Sequence, residues 1–266
     1  MPVSASSPAV TPASNAATST LATGCTRISG PGNNLDQVTA RTRTVIDRLY
    51  GQPFSRSPEP PVSVPSHSIQ IRWPGAQRIL RQVDLPQLVR LAQQVNATFR
   101  LPLKPGDLVR ENAVILEVWN PVTPPEQGRI LKCFELGIDR TMDQDPMFGF
   151  RLLNDIALRA MSPAINDPAT AMQTLDSIES LLTVLVRRDL AIGRIDDNTD
   201  TCRVVFDAFD WDDLLAAGTE EIAETQMHPM VRRRLRMMLE QVRDIAPNER
   251  RPSVDCRIAA MAKALI

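Results

Sequence analysis

The run Ser162-Pro163-Ala164-Ile165-Asn166-Asp167-Pro168-Ala169-Thr170-Ala171 decides the fold, because it ends one helix and opens another within a few residues. Upstream, Phe148, Leu152, Ile156 and Ala160 recur every four residues with Leu153 and Ala157 beside them, the apolar stripe of an amphipathic helix. Arg151, Asp155 and Arg159 share that spacing, so one carboxylate lies between two guanidinium groups on a polar ridge that ends near Ser162. Pro163 lacks an N–H and disfavours helical geometry at Ser162, which predicts the stop. Asp167 suits an N-cap, Pro168 suits the first helical position, and the positive end of the helix dipole favours the Asp167 carboxylate. Met172, Leu175, Ile178, Leu182 and Leu185 then form a second stripe that closes at Arg187 and Arg188, cations suited to a helix C-terminus. A link this short predicts an antiparallel helical hairpin with Ser162, Asn166, Asp167 and Thr170 at its corner.

Working outward, Asp139-Arg140-Thr141, Gln144-Asp145, Phe148-Gly149, Asp155-Ile156-Ala157 and the 162–171 run are spaced in a dense pattern. Together they resemble the signature of a bacterial family of predicted integral membrane proteins that carries a domain of unknown function. The similarity extends from about Asn34 to the C-terminus, and residues 35–49 are similar to the segment that follows the last membrane helix of that family. The resemblance implies hydrophobic helices ahead of a soluble region, and association with the cell membrane. It implies no reaction.

Composition narrows the function classes. The chain has 266 residues, of which 43% are hydrophobic, enough for a sizeable core. Its 30 basic and 31 acidic residues leave a formal charge of −1, which gives no global reason to expect nucleic acid. Cys25, Cys133, Cys202 and Cys256 are far apart, against a zinc ribbon or a disulfide scaffold. No window approaches the roughly 18 apolar residues of a membrane helix, so the chain as written reads as soluble and cytoplasmic. Where the family would have membrane helices, residues 1–33 are rich in Ser, Ala, Thr and Pro and read as disordered, without the basic and apolar regions of a signal peptide. Either the anchor has been lost or the recorded start differs from the true one.

The chain divides into a disordered tail over 1–34, a short helix over 35–50 and a Pro-rich linker over 51–67. A small β-containing segment over 68–125, a helical signature domain over 126–247 and a C-terminal tail over 248–266 follow. The 35–49 helix carries Arg41, Arg43 and Arg48, and reads either as a docked, solvated helix or as one lying on an anionic membrane surface. In the β segment, strands are expected around Ile69 and Ile71, over 76–83, at Phe99, Leu101 and Leu103, and over 114–119. Asp84 should cap a helix over 84–96, and Lys104-Pro105-Gly106-Asp107 should turn. This piece is similar to the β modules of biotinyl and lipoyl carriers, but no lysine sits in a Met-Lys-Met-like hairpin, so no cofactor is expected. Residues 127–137 read as one helix, and Asp145-Pro146 repeats the cap of Asp167-Pro168. Short strands near 191–195 and 202–206, a helix from Asp210, a long helix from Pro229 and a short one around 258–265 complete the expectation.

Histidine catalysis is nearly excluded by supply, since His67 lies in the linker and His228 in a turn. No Gly-rich phosphate loop or Gly-x-Ser-x-Gly elbow is present. Asp207, Asp210, Asp212 and Asp213 bunch where capping and the helix dipole favour carboxylates, so no metal is expected. Arg232, Arg233, Arg234 and Arg236 form a basic patch that suits either solvent or an anionic lipid or acidic partner surface, and lacks the aromatics of a nucleic-acid site.

The candidate site is Arg140, Asp145, Asp155, Arg159, Ser162, Asn166, Asp167 and Thr170. One reading is structural: two caps, a salt-bridged ridge and a turn. The other is a polar pocket that holds a small anion or polar ligand at a helix N-terminus. Asp155 would make a poor general base, because flanking arginines lower its pKa. The sequence therefore predicts an α+β protein, mainly helical, with a helical hairpin core and a small β-containing segment. The leading function is a non-enzymatic module of a membrane protein, acting in assembly, ligand sensing or gating. The alternative is a hydrolase that uses the Asp, Asn, Ser and Thr cluster. A homo-oligomer and the membrane remain open as partners, and the small-molecule or anion ligand is unknown.

Overall fold

A computed structural model describes residues 31–263 except 56–64, 66 and 226. Residues 1–30 of the tail expected over 1–34, with Cys25, most of the Pro-rich linker and the last three residues lie outside that range, whereas residues 31–34 are helical rather than part of a disordered tail. Eight helices and eight strands are present among the described residues, an α+β fold dominated by helices.

The first helix, α1 (Pro31–Leu49), begins four residues before the predicted start. Leu35, Thr42, Val45 and Ile46 are buried and follow helical spacing, so one face docks on the helical core and the arginines stay outside. Thr39, Thr42 and Thr44 return their hydroxyls to the carbonyls four residues earlier, at 2.7 to 2.9 Å. Thr42 can therefore be fully buried without an unmet donor.

The chain then builds β1 (Ser68–Arg72), β2 (Arg78–Val83), α2 (Leu85–Gln94), β3 (Thr98–Leu101), β4 (Leu108–Val109), β5 (Val114–Trp119), α3 (Gln127–Leu131) and β6 (Phe134–Gly137). Asp84 caps α2 by accepting the Gln87 N–H at 2.9 Å, as its position ahead of Pro86 predicts. The expected single helix over 127–137 is corrected. Only its first turn is helical, and Phe134–Gly137 pairs antiparallel with β2. An open strand edge outweighs the weak helical preference of these residues, and Gly137 favours no helix.

Next come α4 (Pro146–Met161), α5 (Pro168–Leu185), β7 (Arg194–Asp196), β8 (Cys202–Phe206), α6 (Trp211–Glu224), α7 (Pro229–Ile245) and α8 (Arg251–Lys263). The hairpin forms as its sequence requires. Asp145 and Asp167 accept from Phe148 N and Thr170 N, and each is followed by Pro. Ser162 is extended (φ −60°, ψ 146°), the region Pro163 imposes. Asn166 takes the left-handed φ of +47°, which Asn tolerates better than most residues.

On α4 the buried face is Phe150, Leu153, Ala157 and Ala160, while Phe148, Leu152 and Ile156 are half-buried. The stripe read from the sequence is displaced because α4 is flanked by α1, α5 and α6 together. At the α4 to α6 crossing, the buried Asn154 side chain donates to Ala217 O at 2.6 Å. A capping box between Asp210 and Asp213 starts α6, and His228 Nδ1 accepts from Met230 N at the start of α7.

Two cores result. One is helical, built from α1, α4, α5, α6, α7 and α8. The other lies between the sheets and α2, with Leu88, Phe99, Leu116, Val118 and Val204 at its centre. The larger sheet runs β1-β5-β3-β8-β7 and the smaller β4-β2-β6. β8 pairs parallel to β3, with Phe99 opposite Val204, so the sheet is completed by residues that follow the hairpin. The chain thus visits two units in turn, since residues 194–206, which follow α5, supply β7 and β8 to the larger sheet. α1 and the C-terminal tail through α8 pack in the helical one. Arg250 fastens that tail. Its guanidinium donates to Leu185 O, Val186 O and Arg188 O at 2.8 to 2.9 Å and lies over the rings of Phe54 and Trp211.

Candidate functional site

The eight residues singled out in the sequence separate into three places along α4. With sixteen residues, that helix holds its ends about 24 Å apart at about 1.5 Å per residue. At its start, fully buried Asp145 accepts Phe148 N at 3.0 Å on one oxygen and Arg140 Nε at 2.5 Å on the other. Burial pushes this carboxyl above its ordinary pKa, with Arg140 and the Phe148 N–H pulling the other way. Gly106, at φ +95°, makes room: a Cβ there would meet the Arg140 guanidinium and the Asp145 carboxylate at 2.5 to 2.6 Å. Midway along α4, Asp155 and Arg159 line a 270 Å³ groove with Asn34 and Arg41 of α1.

At the far end, Ser162, Asn166, Asp167 and Thr170 do share the corner, and their polar atoms are engaged locally. Ser162 Oγ donates to Arg159 O at 2.7 Å. Asp167 accepts both Thr170 N at 3.1 Å and Thr170 Oγ1 at 2.6 Å, which hold its carboxyl below the ordinary pKa. Asn166 is exposed. The structure thus forms one corner and one buried ion pair at opposite ends of the helix.

The seam between the two units holds a different site. A cavity of about 410 Å³ is lined mainly by apolar side chains, among them Leu101, Leu103, Ile192, Ile195, Phe206 and Phe209. That volume suits a small molecule. Its polar groups are few: Tyr50 and Arg48 from the last turn of α1 and just beyond, Lys104, Gln144, Arg194 and Asp207. Tyr50 is the chain's only tyrosine and is 1% exposed. Burial, and then the negative charges of Asp145 and Asp213, push its phenol above the ordinary range, so it stays neutral and acts as a hydrogen-bonding group.

Lys104 Nζ sits 4.7 Å from the centre of the Phe209 ring, 3.3 Å from Ala208 O and 4.0 Å from the Asp213 carboxylate. Gln144 clamps β2 by accepting Val83 N at 3.0 Å and donating to Val83 O at 3.1 Å. Such a cavity favours a ligand with an apolar body and a negative or hydrogen-bonding head. Its lining comes from six separate segments between Arg48 and Phe209, so no local pattern announces it. The lone tyrosine directly after an arginine-bearing helix was the one available signal.

Among the described residues, no group of three or more His, Cys, Asp or Glu is placed to hold a metal. Cys133 is buried, and burial pushes its thiol up to about 11, the behaviour of an inert core cysteine.

A family model described as "Predicted membrane protein (DUF2254)" matches residues 26–241. The chain belongs to this family. Among curated proteins, the DUF2254 chain is 34% identical over 164 residues to an uncharacterized protein of Mycobacterium bovis and to one of Mycobacterium tuberculosis. In both cases the match covers 59% of this chain and 31% of the relative, so the matched part is under a third of their length. No solved structure matches the DUF2254 chain. Among its described residues, no helix is long and apolar enough to cross a membrane.

Proposed function

We propose that this chain is a non-enzymatic, ligand-sensing module of a membrane protein, with the seam cavity as its receptor site. The cavity carries the reading, because one ligand in it would touch both units and the end of α1 at once. Occupancy then favours the arrangement in which the units are closed on the ligand, and α1 carries that bias toward the rest of the protein. Membership of a predicted membrane protein family supports a membrane protein as the setting of the module.

The hydrolase alternative draws no comparable support. The Ser, Asp and Thr of the corner bond to one another or to their own helices, and Asn166 faces solvent without a neighbouring base. In the seam, Tyr50 is neutral and Lys104 is held by a ring and a carbonyl, so neither is poised for proton transfer.

The test uses anilinonaphthalene sulfonate, a fluorescent probe with a fused-ring body and a negative head. The folded chain should bind one probe saturably. Leu103→Trp combined with Ala208→Trp narrows the cavity and should abolish that binding while thermal unfolding stays cooperative. Equal binding by the narrowed variant would refute the cavity as the receptor site.

A further inference from the structure

A second cavity, of about 620 Å³, lies on the other side of α1, between that helix and the 140–143 segment. Arg41, Thr44 and Arg48 are spaced at i, i+3 and i+7, so one helix face presents two guanidinium groups and a hydroxyl to it. Arg140 and Thr141 close the opposite wall, with Phe148 beside them. We infer that this cavity is a binding site for a phosphate-class anion, either free or as the headgroup of an acidic lipid.

The side chains are arranged for it. Arg140 is fixed by Asp145 through Nε and lies 5.3 Å over the Phe148 ring, while its terminal nitrogens have no partner among the described residues. A held guanidinium with free terminal donors is an anion clamp that loses little rotamer freedom on binding. Arg41 and Arg48 are exposed and make no ion pair among the described residues. The nearest carboxylate on α1, Asp47, is occupied by Arg43 at 3.1 Å and Arg188 at 3.0 Å.

Thr141 supplies a second, independent observation: its Oγ1 is buried and has no hydrogen-bond partner. A buried hydroxyl without a partner is costly, and because its Oγ1 has almost no accessible surface, a turn about χ1 would bring it to an anion in this cavity and supply the missing acceptor. Against three arginines stand Asp143, which also lines the cavity, and Asp145, already paired with Arg140. The balance remains positive. The site is separate from the seam cavity, although Arg48 borders both.

Isothermal titration of the full chain with inorganic phosphate, at ionic strength matched with chloride, tests the site. Arg41→Gln and Arg48→Gln, both at exposed positions, should each weaken phosphate binding by about tenfold. Thr141→Val should weaken it by a smaller factor while raising the unfolding temperature of the unliganded chain, because it removes a buried hydroxyl that lacks a partner. Sedimentation with phosphatidylcholine vesicles, with and without phosphatidic acid, separates the sources. Co-sedimentation only with phosphatidic acid, lost in Arg41→Gln, supports a lipid headgroup. Phosphate binding without co-sedimentation supports a free phosphate or phosphomonoester. Absence of phosphate binding, or binding that survives the double Arg41→Gln, Arg48→Gln change in a chain that unfolds like wild type, overturns the proposal.

Discussion

Replacing Arg250 by methionine is expected to destabilise the protein by about 4 kcal/mol, the largest effect of any single change considered. The residue is 7% exposed and faces no carboxylate in hydrogen-bond contact. It donates to three carbonyls at and beyond the end of α5. Leu185 O and Val186 O lie where α5 ends, at the negative end of its dipole, and Leu185 O also accepts from Arg188 N at 3.0 Å. Burial lowers the guanidinium pKa, with Asp189 opposing, but the group stays charged at any ordinary pH. Methionine conserves most of the apolar stem, leaves the Val186 carbonyl buried and unmet, and leaves the Leu185 carbonyl with the Arg188 N–H alone. It also removes the cation stacked on Phe54 and Trp211. Arg250→Lys should recover less than half of the loss, since an ammonium cannot span all three acceptors while lying flat against the rings. Urea denaturation of the three proteins measures this. A loss under about 1 kcal/mol for Arg250→Met would show that water replaces the side chain, and the capping role assigned to it would fall.

The second large effect belongs to Gly149. Ordinarily, alanine in place of a helical glycine gains about 1 kcal/mol. Here a Cβ would overlap the Thr42 hydroxyl and approach its Cγ2 at 2.6 Å and its Cβ at 2.8 Å. Rotation about χ1 of Thr42 cannot clear a contact that includes its own Cβ, and the hydroxyl is bonded to Val38 O at 2.7 Å. The backbones of α1 and α4 must separate. Overpacking of this kind costs about 3 kcal/mol, so Gly149→Ala should be destabilising by about 2 kcal/mol net. In a chain that already carries Thr42→Gly, the same change should be neutral or stabilising. That reversal of sign in thermal unfolding is the check. Destabilisation of equal size in both backgrounds would place the strain elsewhere.

These two residues also show what the sequence could and could not convey. The hairpin was legible because its signals are local: an Asp followed by Pro caps a helix wherever it occurs, and Ser162 before Pro163 must be extended. The caps at Asp145 and Asp167 form on that basis; Asp84, two residues ahead of Pro86, and Asp210, ahead of Trp211, cap their helices as well. Long-range partners decided the rest. Arg187 and Arg188 stood at the end of α5 in sequence, yet the cation that caps it arrives from the far side of α7. Residues 134–137 had helical spacing, yet an open edge on β2 drew them into a strand. On α4, Leu153, Ala157 and Ala160 of the stripe read from the sequence are buried, whereas Phe148, Leu152 and Ile156 are half-buried and Phe150 joins the core, because three helices flank α4 rather than one.

The candidate site followed the same division. Ser162, Asn166, Asp167 and Thr170 meet at the corner as their spacing implied, whereas Arg140 and Asp145 lie a helix length away. Lys104 and Phe209 come together because β8 pairs with β3, a contact between residues about a hundred positions apart, while Tyr50 arrives from the end of α1 and Gln144 is held against β2. No motif encodes such a meeting.

The central claim is that occupation of the seam is felt by α1. Hydrogen–deuterium exchange of the full chain, with and without saturating anilinonaphthalene sulfonate, tests it most directly. The account predicts slower exchange over residues 46–50 and 191–195 together, with no change at the α4–α5 corner, and no response in the narrowed Leu103→Trp, Ala208→Trp variant. Protection confined to the strand residues, with α1 amides unchanged at full occupancy, would contradict it.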